Sequence, residues 1–203
     1  MKELIKSLIR KKKYIVFDFD GVILNSVEIK TNAFATIYSK YGSEIVSKVV
    51  DYHRKNNGIS RFEKFKYYHE FLLNARFTDK EAKVLNRQFC DLVFKEIVIA
   101  DEILGAFDFI DMQLNMGKVC IINSATPQIE LRKIIKERGL LDKFKCVFGS
   151  PLTKSENLEK TKRKFNCSYS DMVFFGDSLS DMNEARKVGV DFIGIGDENN
   201  IFS

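Results

Sequence analysis

Five short runs rich in valine, isoleucine and phenylalanine divide the chain. Their apolar residues are consecutive and do not alternate with polar ones, which is typical of strands buried on both faces of a parallel sheet. The runs that we predict as strands are Tyr14 to Phe17, Lys118 to Ile122, Lys145 to Phe148, Met172 to Phe175 and Phe192 to Ile195.

Helical patterns separate the later runs. One is predicted to open at Thr126, with Pro127 in its first turn, and to stop at Gly139; another covers about Ser180 to Val188. Proline is favoured in the first turn of a helix and glycine just after its end. Strands that alternate with helices predict an α/β fold with a Rossmann-like parallel sheet and right-handed crossovers.

A long helical stretch interrupts this alternation between the first two predicted strands. Apolar residues recur there at steps of three and four, the spacing of a buried helix face. We therefore predict an all-helical insertion over residues 25–100, with the α/β core formed by residues 1–24 and 101–203. The residues with this spacing are Ala33, Phe34, Ile37, Tyr38 and Tyr41, and then Phe62, Phe65, Tyr68, Phe71 and Leu72.

The composition is that of a soluble globular chain, because 45% of the 203 residues are hydrophobic and 30% are charged. These values exclude disordered, collagen-like and fibrous proteins. The net charge of +5 is already reached within the first thirteen residues, and the insertion carries a further +4, so the rest of the core is acidic by 4. A basic insertion over an acidic core suits an anionic substrate held over a metal.

The basic first segment, MKELIKSLIRKKK, spaces its apolar residues as one face of a helix. We predict a surface helix there, with a membrane or nucleic-acid contact as the alternative. No apolar run approaches the roughly 18 residues that a membrane span needs. Since the remaining chain is neutral overall, we expect no nucleic-acid partner and no membrane partner.

The four cysteines are scattered, without the paired spacing of a zinc site or the density of a disulfide-rich scaffold. Cys120 and Cys146 lie in apolar runs and are expected to be buried. Only His53 and His69 could partner a thiol, so we do not expect a cysteine nucleophile. This cysteine usage is typical of a reducing compartment, and we expect a cytoplasmic protein.

Acidic residues follow two of the predicted strands, where a buried strand has no structural use for a carboxylate. Asp18 and Asp20 follow the first strand and, two residues apart in extended chain, point the same way. Asp177 follows the fourth strand. Because ligands of open parallel sheets bind beyond the carboxyl ends of the strands, these acids predict a hard cation such as Mg²⁺. The alternative for the first pair is a turn capped with the help of Gly21.

Polar residues at two further strand ends suit an anion. Ser124 follows the second strand, at a predicted helix start whose hydroxyl and free amides could bind one. Lys154 follows the third strand. Taken singly, Ser124 is also typical of a helix start and Lys154 of a surface lysine. Near the last helix, Ser180 is predicted as the cap and Asp181 as a first-turn acid.

In this order the motifs resemble those of the haloacid dehalogenase superfamily, over residues 14–24 and about 101–197. The residues that carry the resemblance are Asp18-Phe-Asp20-Gly-Val, Ser124, Lys154 and Gly-Asp177-Ser-Leu-Ser-Asp181. The resemblance implies a hydrolase of phosphate monoesters that works through an aspartyl-phosphate on Asp18. Asp20 would protonate the leaving oxygen and later deprotonate the hydrolytic water.

The resemblance also implies how the cofactor and the phosphoryl group are held. The residues assigned to Mg²⁺ are the Asp18 carboxylate, the Asp20 backbone carbonyl, Asp177 and, in an auxiliary role, Asp181. The residues assigned to the phosphoryl oxygens are Ser124, Ala125 and Lys154. Because true dehalogenases lack an acid at the position of Asp20, its presence argues for phosphate chemistry.

The insertion is similar in position to the helical cap of that family, which closes over the site and selects the substrate. The short later connections leave no room for a second cap, so the implied substrate is a small sugar, polyol or amino-alcohol monophosphate. Arg61, with Lys64 and Lys66, could contact it, although we favour a solvated loop for the polar stretch from His53 to Arg61. A phosphomutase and a non-catalytic phosphate-binding regulator are the alternatives.

Overall fold

The computed structural model describes residues 2–196 and 201–202; Met1, residues 197–200 and Ser203 of the predicted core lie outside this range. The strands are β1 (Tyr14–Phe17), β2 (Val119–Pro127), β3 (Cys146–Ser150), β4 (Met172–Gly176) and β5 (Asp191–Gly194). They form one sheet in the order β3-β2-β1-β4-β5, and all neighbours are parallel. This confirms the predicted α/β class with a Rossmann-like parallel sheet.

All five predicted strands are present, and the largest difference is at the end of β2. This strand continues beyond Ile122, because after an irregularity in the pairing Pro127 still pairs with Ser150 of β3. The next helix therefore begins at Gln128 with Pro127 as its N-cap residue, and the predicted opening at Thr126 is wrong. Strand β5 also differs from the predicted strand buried on both faces. It lies at the edge of the sheet, and Ile193 is its one buried residue.

Nine α-helices flank or connect the described strands. They are α1 (Lys2–Arg10), α2 (Val27–Tyr38), α3 (Ser43–Lys55), α4 (Arg61–Tyr67), α5 (Asp79–Ile99), α6 (Ala106–Asn115), α7 (Gln128–Glu137), α8 (Lys154–Phe165) and α9 (Leu179–Val188). Short 3₁₀ turns cover residues 39–41, 141–143 and 169–171, and a π-helical turn covers residues 68–72. Helices α2 to α5 lie within residues 25–100, and we call this part the helical insertion. Its exact boundaries as a domain stay a prediction.

Aromatic side chains form the interior of the helical insertion. The Phe34 ring lies 4.6 Å from that of Phe89, 5.5 Å from Phe65 and 5.7 Å from Tyr68, between ring centroids. Such tilted and edge-to-face arrangements are the favourable ones for aromatic pairs. The predicted periodicity is therefore correct at Phe34, Phe65 and Tyr68, whereas Tyr41, Phe62 and Phe71 of the predicted faces are exposed.

The basic first segment forms helix α1, as predicted. This helix packs against the hydrophobic core that includes the strand residues Ile15 and Phe17. Ile9 is buried while Leu4 is exposed, so the helix presents one apolar face to the core. Just beyond it, the buried Lys12 donates a hydrogen bond of 2.7 Å to the Ser170 carbonyl and pairs with Asp191. Among the described residues, no helix combines the length and the apolarity needed to cross a bilayer.

Arg138, at the end of α7, links the core to the last turn of α5. Its Nη1 donates to the carbonyl oxygens of Ile97 at 3.2 Å, Val98 at 2.6 Å and Ala100 at 2.8 Å. The final carbonyls of a helix lack partners within the helix and carry its partial negative charge, so a guanidinium satisfies them well. The contact fixes where the helical insertion rejoins the core.

We expect Arg138→Met to lower the free energy of unfolding by about 1–3 kcal/mol, because three carbonyls lose a charged donor. Urea unfolding followed by circular dichroism measures the change. Arg132→Met, on the exposed side of the same helix, is the matched control and should stay within about 0.5 kcal/mol of the parent protein. Equal effects of the two substitutions would contradict this role for Arg138.

Candidate active site

The polar residues predicted from the strand ends meet at one edge of the sheet. Asp18 comes directly after β1, Ser124 lies in the last part of β2, Lys154 opens α8 after β3, and Asp177 comes directly after β4. Apart from Lys154, which lies beside Asp18, these residues line one cavity under the helical insertion. The parallel sheet thus brings them together although up to about 160 residues separate them.

Asp18 is buried and held by hydrogen bonds at both carboxylate oxygens. Oδ1 accepts from the Phe19 N–H at 2.6 Å, and Oδ2 accepts from Lys154 Nζ at 2.6 Å. The Asp18 N–H donates to the Phe175 carbonyl of β4 at 2.8 Å, which extends the sheet by one residue. The carboxylate is therefore fixed in place by the backbone and by one lysine.

Lys154 is the central cation of the site. Only 3% of it is exposed, so the interpretation as a surface lysine is wrong. Its ammonium contacts both Asp18 and Asp181. Burial alone would lower the pKa of Lys154, but the two carboxylates outweigh burial and raise it. The two carboxylates therefore favour the charged form of this lysine.

Asp181 is fully buried in the first turn of α9. Its backbone N–H donates to Ser178 Oγ at 3.1 Å, and its carboxylate accepts from the Ser178 N–H at 3.3 Å. This is a capping box, so Ser178 is the N-cap residue of α9 and the prediction of Ser180 was wrong. The first-turn position predicted for Asp181 is confirmed.

The carboxylates of Asp18, Asp177 and Asp181 lie close together. Each offers an oxygen within 4.8 Å of the others. Burial, and then the mutual repulsion with Asp181, raises the pKa of Asp177 to about 7, and burial raises that of Asp18 well above its ordinary value despite Lys154. The cluster has more acid groups than adjacent cations, and its oxygen donors are the ligands that Mg²⁺ prefers, so these residues fit that ion.

Gly21 lies against this cluster in a left-handed conformation, with φ of +76°. A Cβ at this position would lie 2.4 Å from Asp177 Oδ2. Glycine is required both by the backbone conformation and by the close approach of the carboxylate. The alternative interpretation, that Asp18 and Asp20 cap a turn, does not explain the site. Asp18 accepts a hydrogen bond from the Phe19 N–H, and Asp20 accepts one from Ser26 Oγ.

Asp20 lines the same cavity as Asp18 but contacts a different set of groups. Its Oδ1 accepts from Ser26 Oγ at 2.6 Å, and its Oδ2 accepts from Thr126 Oγ1 at 3.1 Å and pairs with Lys30. Burial alone would raise the pKa of Asp20, but the charge of Lys30 and the hydrogen bonds lower it. One carboxylate near the cluster is thus kept ionised while Asp18 and Asp177 have raised pKa values.

Sequence reasoning missed Ser26, Lys30 and Thr126. Lys30 Nζ donates to Thr126 Oγ1 at 2.8 Å, so a residue of α2 and a residue of β2 meet at Asp20. A signal existed for Thr126, which is two residues beyond Ser124 in extended chain and so faces the same way. For Lys30 the only signal was that it is the single basic residue of α2.

Arg61 begins α4 and is 5% exposed. It lines the cavity, but its guanidinium is engaged: Nη2 donates to Glu130 Oε1 at 2.7 Å and Nη1 to Cys90 Sγ at 3.3 Å. The Arg61–Glu130 ion pair joins the helical insertion to α7 of the core. A direct contact of Arg61 with a substrate stays a prediction.

The polar stretch from His53 to Arg61 is solvated only in part, because Arg54 and Lys55 at the end of α3 are exposed whereas Gly58 is buried. His53, Arg61 and Lys64 are buried, and all three line the cavity, whereas Lys66 is exposed. Ala125 and Asn57 also border the cavity. The wall that the helical insertion contributes is therefore rich in cationic and polar groups.

The cavity between the strand ends and the helical insertion is small. Its volume is about 40 Å³, enough for a few water molecules and too small for a phosphorylated metabolite. The helical insertion therefore lies in a closed position over the strand ends. A ligand of metabolite size requires the insertion to move.

We expect Gly21→Ala to destabilise the protein and to weaken metal binding, because the new Cβ displaces the Asp177 carboxylate. Gly189→Ala is a close control: Gly189 has the same φ of +76°, and a Cβ added there would have no atom within 4 Å. The control should lose about 1–2 kcal/mol from the left-handed backbone alone. Thermal unfolding with and without MgCl₂ separates the two effects, and a normal Mg²⁺ response of Gly21→Ala would contradict the expectation.

A family profile, described as haloacid dehalogenase-like hydrolase, matches residues 15–195. None of the curated protein sequences matches the chain. The solved structures that it resembles include β-phosphoglucomutase from Clostridium difficile, with a TM-score of 0.77, 18% sequence identity, and coverage of 94% of this chain and 87% of the other.

Two further similar structures have comparable scores. A predicted phosphoglycolate phosphatase from Haemophilus somnus 129PT has a TM-score of 0.71 and 18% identity, covering 91% of this chain and 85% of the other. CbbY from Rhodobacter sphaeroides, in complex with xylulose-(1,5)bisphosphate, has a TM-score of 0.72 and 13% identity, covering 90% and 85%. At these identities the similarity establishes the shared fold alone.

Proposed function

The chain belongs to the haloacid dehalogenase-like hydrolase family, and from that premise we propose that it is a Mg²⁺-dependent phosphatase. It hydrolyses a small phosphorylated metabolite, a sugar, polyol or amino-alcohol monophosphate, through an aspartyl-phosphate intermediate. One observation carries the proposal: Asp18, Lys154 and Asp177 follow three different strands, and they lie together at one edge of the sheet. The names of the similar structures, which include a phosphoglycolate phosphatase and a phosphoglucomutase, support a substrate of this size.

Asp18 is the nucleophile in this proposal. Its carboxylate is buried and held by the Phe19 N–H and by Lys154, so little reorganisation is needed before attack. One carboxylate oxygen attacks phosphorus, the bond from phosphorus to the ester oxygen breaks, and the phosphoryl group is transferred to Asp18. Water then attacks the aspartyl-phosphate and releases inorganic phosphate.

Ser124, Ala125 and Lys154 hold the phosphoryl oxygens. Ser124 Oγ accepts a hydrogen bond from the Thr126 N–H at 3.1 Å, which leaves its own proton available to donate to a phosphoryl oxygen. The Lys154 ammonium lies beside the Asp18 carboxylate and so beside the transferred group. Fixed donors of this kind stabilise the charge that phosphoryl transfer places on oxygen.

The Mg²⁺ ion would be held by the Asp18 carboxylate, the Asp20 backbone carbonyl and Asp177. Asp181 has an auxiliary part, since its carboxylate is engaged with Lys154 and with the backbone of Ser178. When bound, the ion supplies positive charge that offsets the clustered carboxylates and the phosphoryl oxygens. The raised pKa values of Asp18 and Asp177 in its absence support this assignment.

Asp20 is the general acid and base. Its carboxyl has a lowered pKa with Lys30, Ser26 and Thr126 as partners, so the form seen in the closed site is the base that deprotonates the hydrolytic water. The arrival of a negatively charged phosphoryl group raises the pKa of a neighbouring carboxyl. Asp20 therefore takes up a proton on substrate binding and donates it to the leaving oxygen.

The helical insertion acts as a cap that excludes water during transfer and contacts the leaving group. Its closed position over the strand ends, and the small cavity that remains, support this part of the proposal. Two ion pairs cross from the insertion to the core, Lys30 with Asp20 and Arg61 with Glu130. Opening the cap requires both pairs to separate.

Asp18→Asn should lower Mg²⁺-dependent phosphate release by at least about 1000-fold, as expected for loss of a nucleophile. Release is measured across a panel of sugar, polyol, amino-alcohol and nucleoside monophosphates, with Mg²⁺ and with EDTA. Asp51→Asn, an exposed aspartate of α3, is the control and should retain parental activity. Conversion of a substrate to an isomer without phosphate release would identify a phosphomutase, and phosphate binding without turnover would identify a non-catalytic protein.

Mg²⁺ should stabilise the protein more at pH 8 than at pH 6. The pKa of Asp177 is raised from its ordinary value of 3.8 to about 7 in the metal-free protein, so the folded state holds a proton that the unfolded chain has lost. The contribution of Asp177 to the free energy of unfolding therefore falls as the pH rises from about 4 to about 7. Mg²⁺ competes with that proton. The stabilisation of the protein by Mg²⁺ is therefore largest once the Asp177 carboxyl is ionised.

Thermal unfolding with and without millimolar MgCl₂ at the two pH values measures this difference. Asp177→Asn should abolish the dependence of the Mg²⁺ effect on pH. In the absence of Mg²⁺ the variant should be as stable as the parent at pH 8, or more so, because a buried charge is removed. An Mg²⁺ effect that is equal at both pH values would argue against Asp177 as a ligand.

A further inference from the structure

Lys64, in α4 of the helical insertion, is a buried cation that lines the cavity. Only 2% of it is exposed, and its Nζ lies 2.7 Å from Nδ1 of His53. The Phe34 ring packs against both groups, 4.8 Å from the His53 ring between centroids and 5.6 Å from Lys64 Nζ. The amine is thus held in one position by a histidine and an aromatic face.

His53 serves as the acceptor in this pair. When Lys64 is protonated its ammonium has no acceptor site, so in that state Nδ1 accepts the Lys64 proton and the histidine proton is on Nε2. Burial, and then the charge of Lys64, lowers the pKa of His53 to about 3, so this ring stays neutral. His53 therefore orients Lys64 without balancing its charge.

Lys64 is also the one cation around the cavity without a carboxylate partner among the described ion pairs. Lys30 pairs with Asp20, Arg61 pairs with Glu130, and Lys154 is bound by its two acids. A buried ammonium that lacks a counter-ion is costly. Burial, and then the charge of Lys30, accordingly lowers the pKa of Lys64 to about 7. An anion beside Lys64 would remove this cost.

We propose that Lys64, oriented by His53, binds a second anionic group of the substrate, a carboxylate or a second phosphoryl group. This inference rests on the proposed function, because the transferred phosphoryl group occupies the strand ends at Asp18 and the second anion occupies the wall of the helical insertion. Both sites border the same small cavity.

The proposal narrows the substrate class. Amino-alcohol phosphates bring an ammonium to a wall on which Lys64 has no carboxylate partner, and like charges at short distance repel. Neutral polyol phosphates leave Lys64 without a counter-ion. Phosphomonoesters with a second negative charge supply the missing partner, so they are the preferred substrates.

The test compares matched substrates on the Mg²⁺-loaded full chain. Ethyl phosphate, 2-phosphoglycolate and phosphoethanolamine differ mainly in the charge of the second group, and a hexose 6-phosphate is compared with the 1,6-bisphosphate to separate a carboxylate from a second phosphoryl group. Lys64→Met is the test variant. Lys66→Met, two residues on and exposed, is the matched control.

We expect the parent protein to prefer at least one of the anionic substrates over its neutral match by about 30-fold or more in kcat/KM. Lys64→Met should lose about 10- to 100-fold on that substrate, mostly through KM, as for the loss of a charge-assisted contact. Its activity on ethyl phosphate should stay within about twofold of the parent, and Lys66→Met should behave as the parent on every substrate. Equal loss on neutral and anionic substrates would overturn the proposal.

A binding measurement distinguishes failure of this proposal from failure of the proposed function. Titration calorimetry of 2-phosphoglycolate and the bisphosphate is carried out on Asp18→Asn and on Asp18→Asn with Lys64→Met. At least one ligand should bind the single variant about 10-fold or more tightly than the double variant, whether or not the parent turns over. Equal affinities would overturn the role of Lys64, while absent turnover with Lys64-dependent binding would overturn only the phosphatase function.

Discussion

The excess of buried negative charge at the strand ends is the constraint on which the site depends. Asp18, Asp177 and Asp181 crowd together with Lys154 as their adjacent cation. Surrounding features lower the cost of this charge: the Phe19 N–H and the N-terminus of α9 each donate to a carboxylate. These donors orient the acids but leave their pKa values raised, which is the electrostatic condition that favours a divalent cation.

The helical insertion carries the opposite charge. Three of its cations line the cavity, and two of these, Lys30 and Arg61, pair with carboxylates of the core. These ion pairs hold the helical insertion against the core, and because their side chains are largely buried, solvent screens them less than it screens surface pairs. Lys30 and Lys154 are both bound to aspartates in the closed protein. The anionic groups of an entering substrate must therefore compete with these aspartates for the two lysines.

The sequence was sufficient to predict residues whose position follows from sheet topology alone. Parallel strands place their carboxyl ends at one edge, so Asp18, Ser124 and Asp177 could be grouped from the order of the apolar runs and the polar residues that follow them. Lys30 and the pair of Lys64 with His53 depend instead on how the helices of the insertion pack, which hydrophobic periodicity does not determine. The stretch from His53 to Arg61 has the composition of a loop, yet packing buries both His53 and Arg61, and local composition could not indicate that.

Charge also links substrate recognition to closure. Lys30 and Lys64 repel each other within the closed wall, and this repulsion, after burial, contributes to the lowered pKa of Lys64. A ligand that places an anion near each of them removes this repulsion and keeps both lysines protonated. A neutral ligand does not, so closure over it retains the full cost of the buried amine. Binding of the proposed second anion at Lys64 would therefore also make closure more favourable.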